Sequence, residues 1–148
     1  MSPTLTLRPA RPHRDADGTA RKLQLRNHQS ECIRVTATTP DFVDITDEVE
    51  ETLTRSGIRD GRVTVFSPHD ECSILVQERE SGLLLDIREA IQRLDREDPS
   101  DRHGLVGSPS VVLPAVAGRL RLGMWQRVLL VELGEPNARS VVVHIVGE

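Results

Sequence analysis

Apolar residues recur along this chain with two different periods, and the switches between them mark its elements. In "DITDEVEETLTRSGI", residues 44–58, Ile45, Val49 and Leu53 fall four apart. That spacing is one narrow face of a helix of about three turns. Thr46 is placed to cap it, Asp47 and Glu48 complement the positive end of its dipole, and Gly57 closes it. A second helix is written more strongly in "SGLLLDIREAIQRLD", residues 81–95, where Leu83, Leu84, Ile87, Ala90, Ile91 and Leu94 form a continuous apolar face. Glu89 and Arg93 sit four apart on its wet side in the favourable order.

Elsewhere the pattern is that of strands. "RKLQLRNHQSECIRVTAT" predicts two short extended stretches around a polar turn at residues 27–30, with Pro40 breaking the second. "RDGRVTVFSP" predicts a turn at Asp60-Gly61 and a strand running to Pro68, and "CSILVQ" predicts the next strand. "DREDPSDRHGLVGSPS" is a polar loop. "VVLPAV", "RLRLG", "WQRVLLVEL" and "SVVVHIVG" predict four more strands, with turns at Gly118 and around Pro136. Two helices among many antiparallel-type strands predict a single α+β domain, mostly antiparallel sheet, with the last four strands as a meander.

Composition narrows this picture. With 148 residues the chain is one domain by length. Aromatic residues make up only 2%, so Leu, Val and Ile must build the core, and Trp125 is the only tryptophan. The opening residues 1–21, rich in Pro, Arg and small polar residues, read as a tail ahead of a domain at 22–148. A formal charge of −4 argues against nucleic acid as a partner. No apolar run reaches membrane-spanning length, and nothing reads as a signal peptide. Cys32 and Cys72 match no metal-knuckle or disulfide framework, and a reduced cytoplasmic protein is the simplest reading.

Candidate chemistry is sparse. His69 ends a strand beside Asp70 and Glu71, where a carboxylate could orient the ring of a general base or ligand. A solvated strand-end His is the plainer alternative. His103, in a polar loop, could meet it in space. Glu78 and Glu80 flank a helix start, where two carboxylates suit a metal or acid–base work, or simply complement the dipole. Arg139 lies in the turn-like "EPNARS" and could meet an anion. His144 alternates with buried-type valines and reads as structural. No phosphate-cradling glycine loop or zinc-helix motif occurs.

Taken together, the segments from about Arg34 to Glu148 resemble the YjbQ-like family, small proteins long described as uncharacterised and later as secondary thiamine-phosphate synthases. The resemblance is most specific at Ser108 or Ser110, "VVLP", Gly118 and then Gly123, Met124, Trp125, Gln126 and Val128. Met124 stands where the family has Thr. Upstream, His69 matches the family His, and "VQERESGLLLDI" places Glu78 and Asp86 on family positions. The resemblance implies a homotrimer with polar clefts between subunits. It implies His69, Glu78 and Asp86 as catalytic groups, with Trp125, Gln126, Arg139 and His103 holding a small anionic substrate and a divalent metal as a possible cofactor. Two departures bear on this. The family's Thr and Ser after its His are Asp70 and Glu71 here, and the segment after the second helix is shortened. A pyrophosphate-bearing substrate would meet two added carboxylates. The alternative is a non-catalytic oligomeric binding or scaffold protein. Trp125, with a Gln beside it, is expected at a cleft or an interface.

Overall fold

A computed structural model describes residues 28–36, 42–97 and 107–148, the last four of 42–97 by backbone alone. The tail, Pro40 and the loop that carries His103 lie outside these residues. Eight strands and two helices follow in the order β1 (His28–Thr36), β2 (Phe42–Asp44), α1 (Thr46–Ser56), β3 (Gly61–Phe66), β4 (Cys72–Glu78), α2 (Ser81–Glu97), β5 (Ser110–Val116), β6 (Arg119–Leu120), β7 (Gln126–Glu132) and β8 (Ala138–Gly147). The class is α+β, and every strand pairing is antiparallel.

The strands form two sheets, ordered β1-β8-β3-β5-β6 and β2-β7-β4. The predicted meander is therefore corrected. Only β5 and β6 are a hairpin; β7 leaves for the second sheet and β8 returns between β1 and β3. The residue pattern explains the split. On β8, Val141, Val143 and Ile145 are buried while Val142, His144 and Val146 are half-buried, as in a strand with one face to the core. On β7, Val128, Leu129, Leu130 and Val131 are all buried, so this strand is enclosed on both faces and shows no alternation. The predicted turn at 27–30 is also corrected within the described residues: His28, Gln29 and Ser30 extend β1 and pair with Val146, Ile145 and His144. Their polarity belongs to a sheet face, not to a turn.

The core joins the inner face of the larger sheet to α1 and to β4 and β7. Ile45, Val49 and Leu53 are completely enclosed against Val63, Val65, Val128, Leu130, Val141, Val143 and Ile145. Gly57 ends α1 in the left-handed region at φ 71°, as its sequence position requires. The other end differs from expectation. Thr46 is the first helical residue, and Asp44 accepts its N–H at 3.0 Å and its hydroxyl at 2.7 Å. Freed from capping, the Thr46 hydroxyl accepts the Val128 N–H and ties α1 to β7. Gly61 and Gly147 face each other across β3 and β8, where a Cβ on Gly61 would run into the Val146 carbonyl.

The α2 helix forms as its sequence predicts, but its apolar face is not enclosed. Leu83, Leu84, Ile87 and Ile91 are half-buried, and Ala90 is exposed. The outer face of the larger sheet is also apolar: Phe66, Val112 and Val116 are exposed, Val112 to 61%.

Candidate functional site

The β3–β4 connection starts at Ser67, which is buried and whose N–H donates to the Pro109 carbonyl at 2.8 Å. Two positions later His69 turns back toward the start of β8. There the Ser140 N–H donates to His69 Nε2 at 3.0 Å. That bond uses the Nε2 lone pair and places the ring proton on Nδ1. Among the described residues nothing accepts from Nδ1.

Beside His69 lies a buried ion pair. Glu132, at the end of β7, is fully enclosed. It accepts from Arg139 Nε at 2.6 Å and from Arg139 Nη2 at 2.8 Å. Arg139 Nη2 also donates to Glu71 at 2.9 Å. Burial works against the charged form of Glu132. The paired Arg139 hydrogen bonds, the Gly134 N–H and the Arg139 charge outweigh it and hold the carboxyl below its usual range. Its hydrogen bonds to Glu132 first, and the one to Glu71 next, raise Arg139 above the usual arginine value against burial. Cys72 packs against the pair. Burial, reinforced by the Glu132 charge, pushes its thiol up to about 11, which makes it a poor nucleophile.

A cavity of about 460 Å³ opens at this end of β4, lined by Ser67, His69, Asp70, Cys72, Ser73 and residues 107–109, with Phe66 and Pro68 at its apolar side. A second cavity, about 510 Å³, lies at the other end of the same strand. Glu78, Arg79, Glu80, Met124, Trp125 and Arg127 line it. With about 3.3 Å of rise per residue, Cys72 and Glu78 are about 20 Å apart along β4.

The sequence-predicted residues thus divide between two ends of one strand. His69 sits at the first cavity. Glu78 and Trp125 sit at the second, and Asp86 is exposed on α2. Trp125 is 68% exposed and Met124 87%, on a turn that closes on itself: the Gln126 side chain accepts the Gly123 N–H at 2.8 Å. That bond uses the Gln126 side-chain oxygen within its own turn. Trp125 lines the second cavity. Arg139 needs correction. It is not in a turn but is the second residue of β8, buried, with its charge met by Glu132 and Glu71. Glu80 resolves to the structural role, accepting the Gly82 and Leu83 N–H groups at the start of α2, which lower its pKa.

Sequence reasoning missed two features. Asp44 holds Arg127 at 2.7 Å as well as capping α1; burial opposes its ionisation, but the Arg127 and Thr46 hydrogen bonds keep its pKa low. Ser73, 4% exposed, has a hydroxyl with no hydrogen-bond partner among the described residues. Glu132 was legible in principle, because an acid inside "VLLVEL" demands a buried cation. Among the described residues no three His, Cys, Asp or Glu side chains are placed to hold a metal ion.

Residues 31–148 match the family described as UPF0047 protein, YjbQ-like. A UPF0047 protein of Archaeoglobus fulgidus is 40% identical over 121 residues, which cover 73% of this chain and 93% of that protein. One from Methanothermobacter thermautotrophicus is 32% identical over 73% of this chain and 84% of its own length. Among solved structures, a protein of unknown function from Sulfolobus solfataricus is similar with a TM-score of 0.73 and 31% identity, covering 82% of this chain and 99% of that one. A hypothetical protein from Aeropyrum pernix gives 0.72 and 32%, over 81% and 99%.

Proposed function

This chain belongs to the UPF0047 YjbQ-like family, and on that premise we propose that it is a cytoplasmic, homotrimeric small-molecule-binding protein whose His69 cavity favours an uncharged or cationic ligand over a pyrophosphate. One observation carries the reading: the Nε2 lone pair of His69, which a general base would use, is engaged by the Ser140 N–H. Charge supports it. Among the described residues, Asp70 lines that cavity, and beside it Glu71 and Glu132 are both paired with Arg139.

The uncovered faces of α2 and of the larger sheet support assembly with further copies. Free thiols at Cys32 and Cys72 support a reducing location, and no helix among the described residues is long and apolar enough to cross a membrane. The transferase activity that the resemblance implied has one observation in its favour: Glu78 and Trp125 share the second cavity with Arg79 and Arg127. It also needs His69, about 20 Å away along β4, so a neighbouring subunit would have to complete the site.

Calorimetric titration with pyrophosphate in the presence of a chelator tests the proposal. Wild type should give no saturable heat, while Asp70→Thr with Glu71→Ser, which removes two carboxylates and their repulsion, should give measurable binding. Light scattering on the same sample should give the mass of three chains. Saturable metal-free binding by wild type, or a monomer mass, would contradict it.

A further inference from the structure

The net charge of −4 averages over surfaces of opposite sign. On the outer face of the larger sheet, none of the outward-pointing strand residues is Asp or Glu. Arg34, Arg62 and Arg119 stand there, all exposed. Among the described residues no carboxylate pairs with any of the three, whereas Arg55, Arg127 and Arg139 elsewhere are each held by acids. The acids next in the chain, Asp60 and Glu148, lie beyond the ends of β3 and β8, and Asp60 already accepts the Ala117 N–H.

Three rings cross the same face on a diagonal. His144 of β8 stands opposite Ser30 of β1 on one side and Thr64 of β3 on the other. His28 comes two residues before Ser30, and Phe66 two residues after Thr64. The three therefore occupy adjacent strands, each one diagonal step from the next, a step of about 7–8 Å. The His28 and His144 ring centroids are 6.0 Å apart and the rings are tilted by 39°. His28 is exposed, Phe66 is 38% exposed and His144 is half-buried. Arg62, level with His28, flanks one side of the diagonal, and Arg34, level with Ser140, flanks the other. Arg119 extends the first side past β5, opposite the exposed Val116.

We infer that this face binds single-stranded nucleic acid, with bases stacked along His28, His144 and Phe66 and phosphates met by the flanking arginines. An open antiparallel sheet with ring-bearing side chains on adjacent strands offers successive stacking platforms, and every base has a face to stack. An acidic peptide would satisfy the arginines but give the rings nothing planar to meet. An apolar partner would enclose three arginines without compensation. Composition pointed away from nucleic acid because the acids lie on other surfaces, not because this face lacks positive charge. The face meets the His69 cavity only at Phe66. Assembly with further copies then falls to the uncovered side of α2.

Fluorescence anisotropy of a labelled oligothymidylate of about 12 nucleotides, titrated with the full chain, tests this. Wild type should bind saturably with a Kd of about 1–100 μM at low salt, and log affinity should fall against log salt with a slope of about −2, as three phosphate contacts on a single strand produce. A duplex of the same length should bind more weakly, because its bases are already stacked on one another. His28→Ala and Phe66→Ala should each weaken binding about tenfold. Arg62→Glu with Arg119→Glu should abolish it. His28 and both arginines are exposed, so these changes keep the fold. No saturable binding by wild type, a duplex bound as tightly as the single strand, or wild-type affinity in His28→Ala and the arginine variant would each overturn the assignment. Loss of the three-chain mass in the arginine variant would overturn it too, by showing that copies of the chain cover this face.

Discussion

Replacing Glu132 by Ala should lower the thermal midpoint by about 10 °C, among the largest effects of any substitution in this chain. The side chain is fully enclosed and accepts two hydrogen bonds from a nearly buried Arg139. Removing one partner of such a pair costs about 3–5 kcal/mol, because the other charge stays behind without compensation. Arg139 would keep its bond to Glu71, which places the expected loss near the lower end, about 3 kcal/mol. A domain of this size loses about 3 °C per kcal/mol. The effect should follow pH with a definite sign. Glu132 has its folded pKa held below the reference value of 4.5, so its contribution is present above that value and fades as pH falls through the folded pKa. Glu132→Gln and wild type should therefore converge in stability in acid and diverge toward neutrality. Denaturant melts at several pH values check this; a gap that widened in acid would contradict it. The double change Glu132→Leu with Arg139→Met should recover much of the loss, because it removes both charges together.

Leu53→Ala should cost a similar amount, about 2–5 kcal/mol, for a different reason. Leu53 is completely enclosed where α1 meets the inner face of the larger sheet, and truncation leaves a cavity its neighbours can only partly fill. Thr54→Ala, one residue on, is the control. Thr54 is exposed and its hydroxyl bonds only the Glu50 carbonyl within the same helix, so its change should stay within about 0.5 kcal/mol. Urea melts of the two variants measure both. Equal melting would mean that α1 does not anchor the core.

These two residues also show what was legible in the sequence. Leu53 belongs to a periodic stripe with a glycine cap, and the helix it predicts is the helix that forms. The signal that predicts it is local, carried by apolar residues four positions apart. Glu132 and Arg139 are only seven residues apart, but they lie on β7 and β8, which leave for different sheets, and no local pattern announces that split. Nothing nearby in the chain distinguishes an arginine after a Pro-Asn turn from one tucked into β8. The meander failed in the same way. The strands themselves were readable, but β7, enclosed on both faces, has no alternation to say which sheet it joins. His28–Ser30 looked like a turn because their polarity suits an open sheet face as well as a loop. Trp125 stands at 68% exposure on a self-closing Gly–Gln turn at the edge of the second cavity, and its residue type alone does not say what covers it.

The candidate site was half legible. His69 and Glu78 were found by their residue types, but their separation follows from the length of β4, which puts them at opposite ends. Ser73 carried no signal at all, since a small hydroxyl in a strand is ordinary until its partner is seen to be missing.

His69 decides between a pocket that donates to a ligand and a base that takes a proton, and its tautomer can be read directly. A long-range proton–nitrogen correlation spectrum of the imidazole distinguishes the two nitrogens. The expected result is a proton on Nδ1 and a bare Nε2 that accepts the Ser140 N–H, in the free protein and unchanged by pyrophosphate. A proton on Nε2, with Nδ1 bare and facing the cavity, would contradict the binding role assigned to this site.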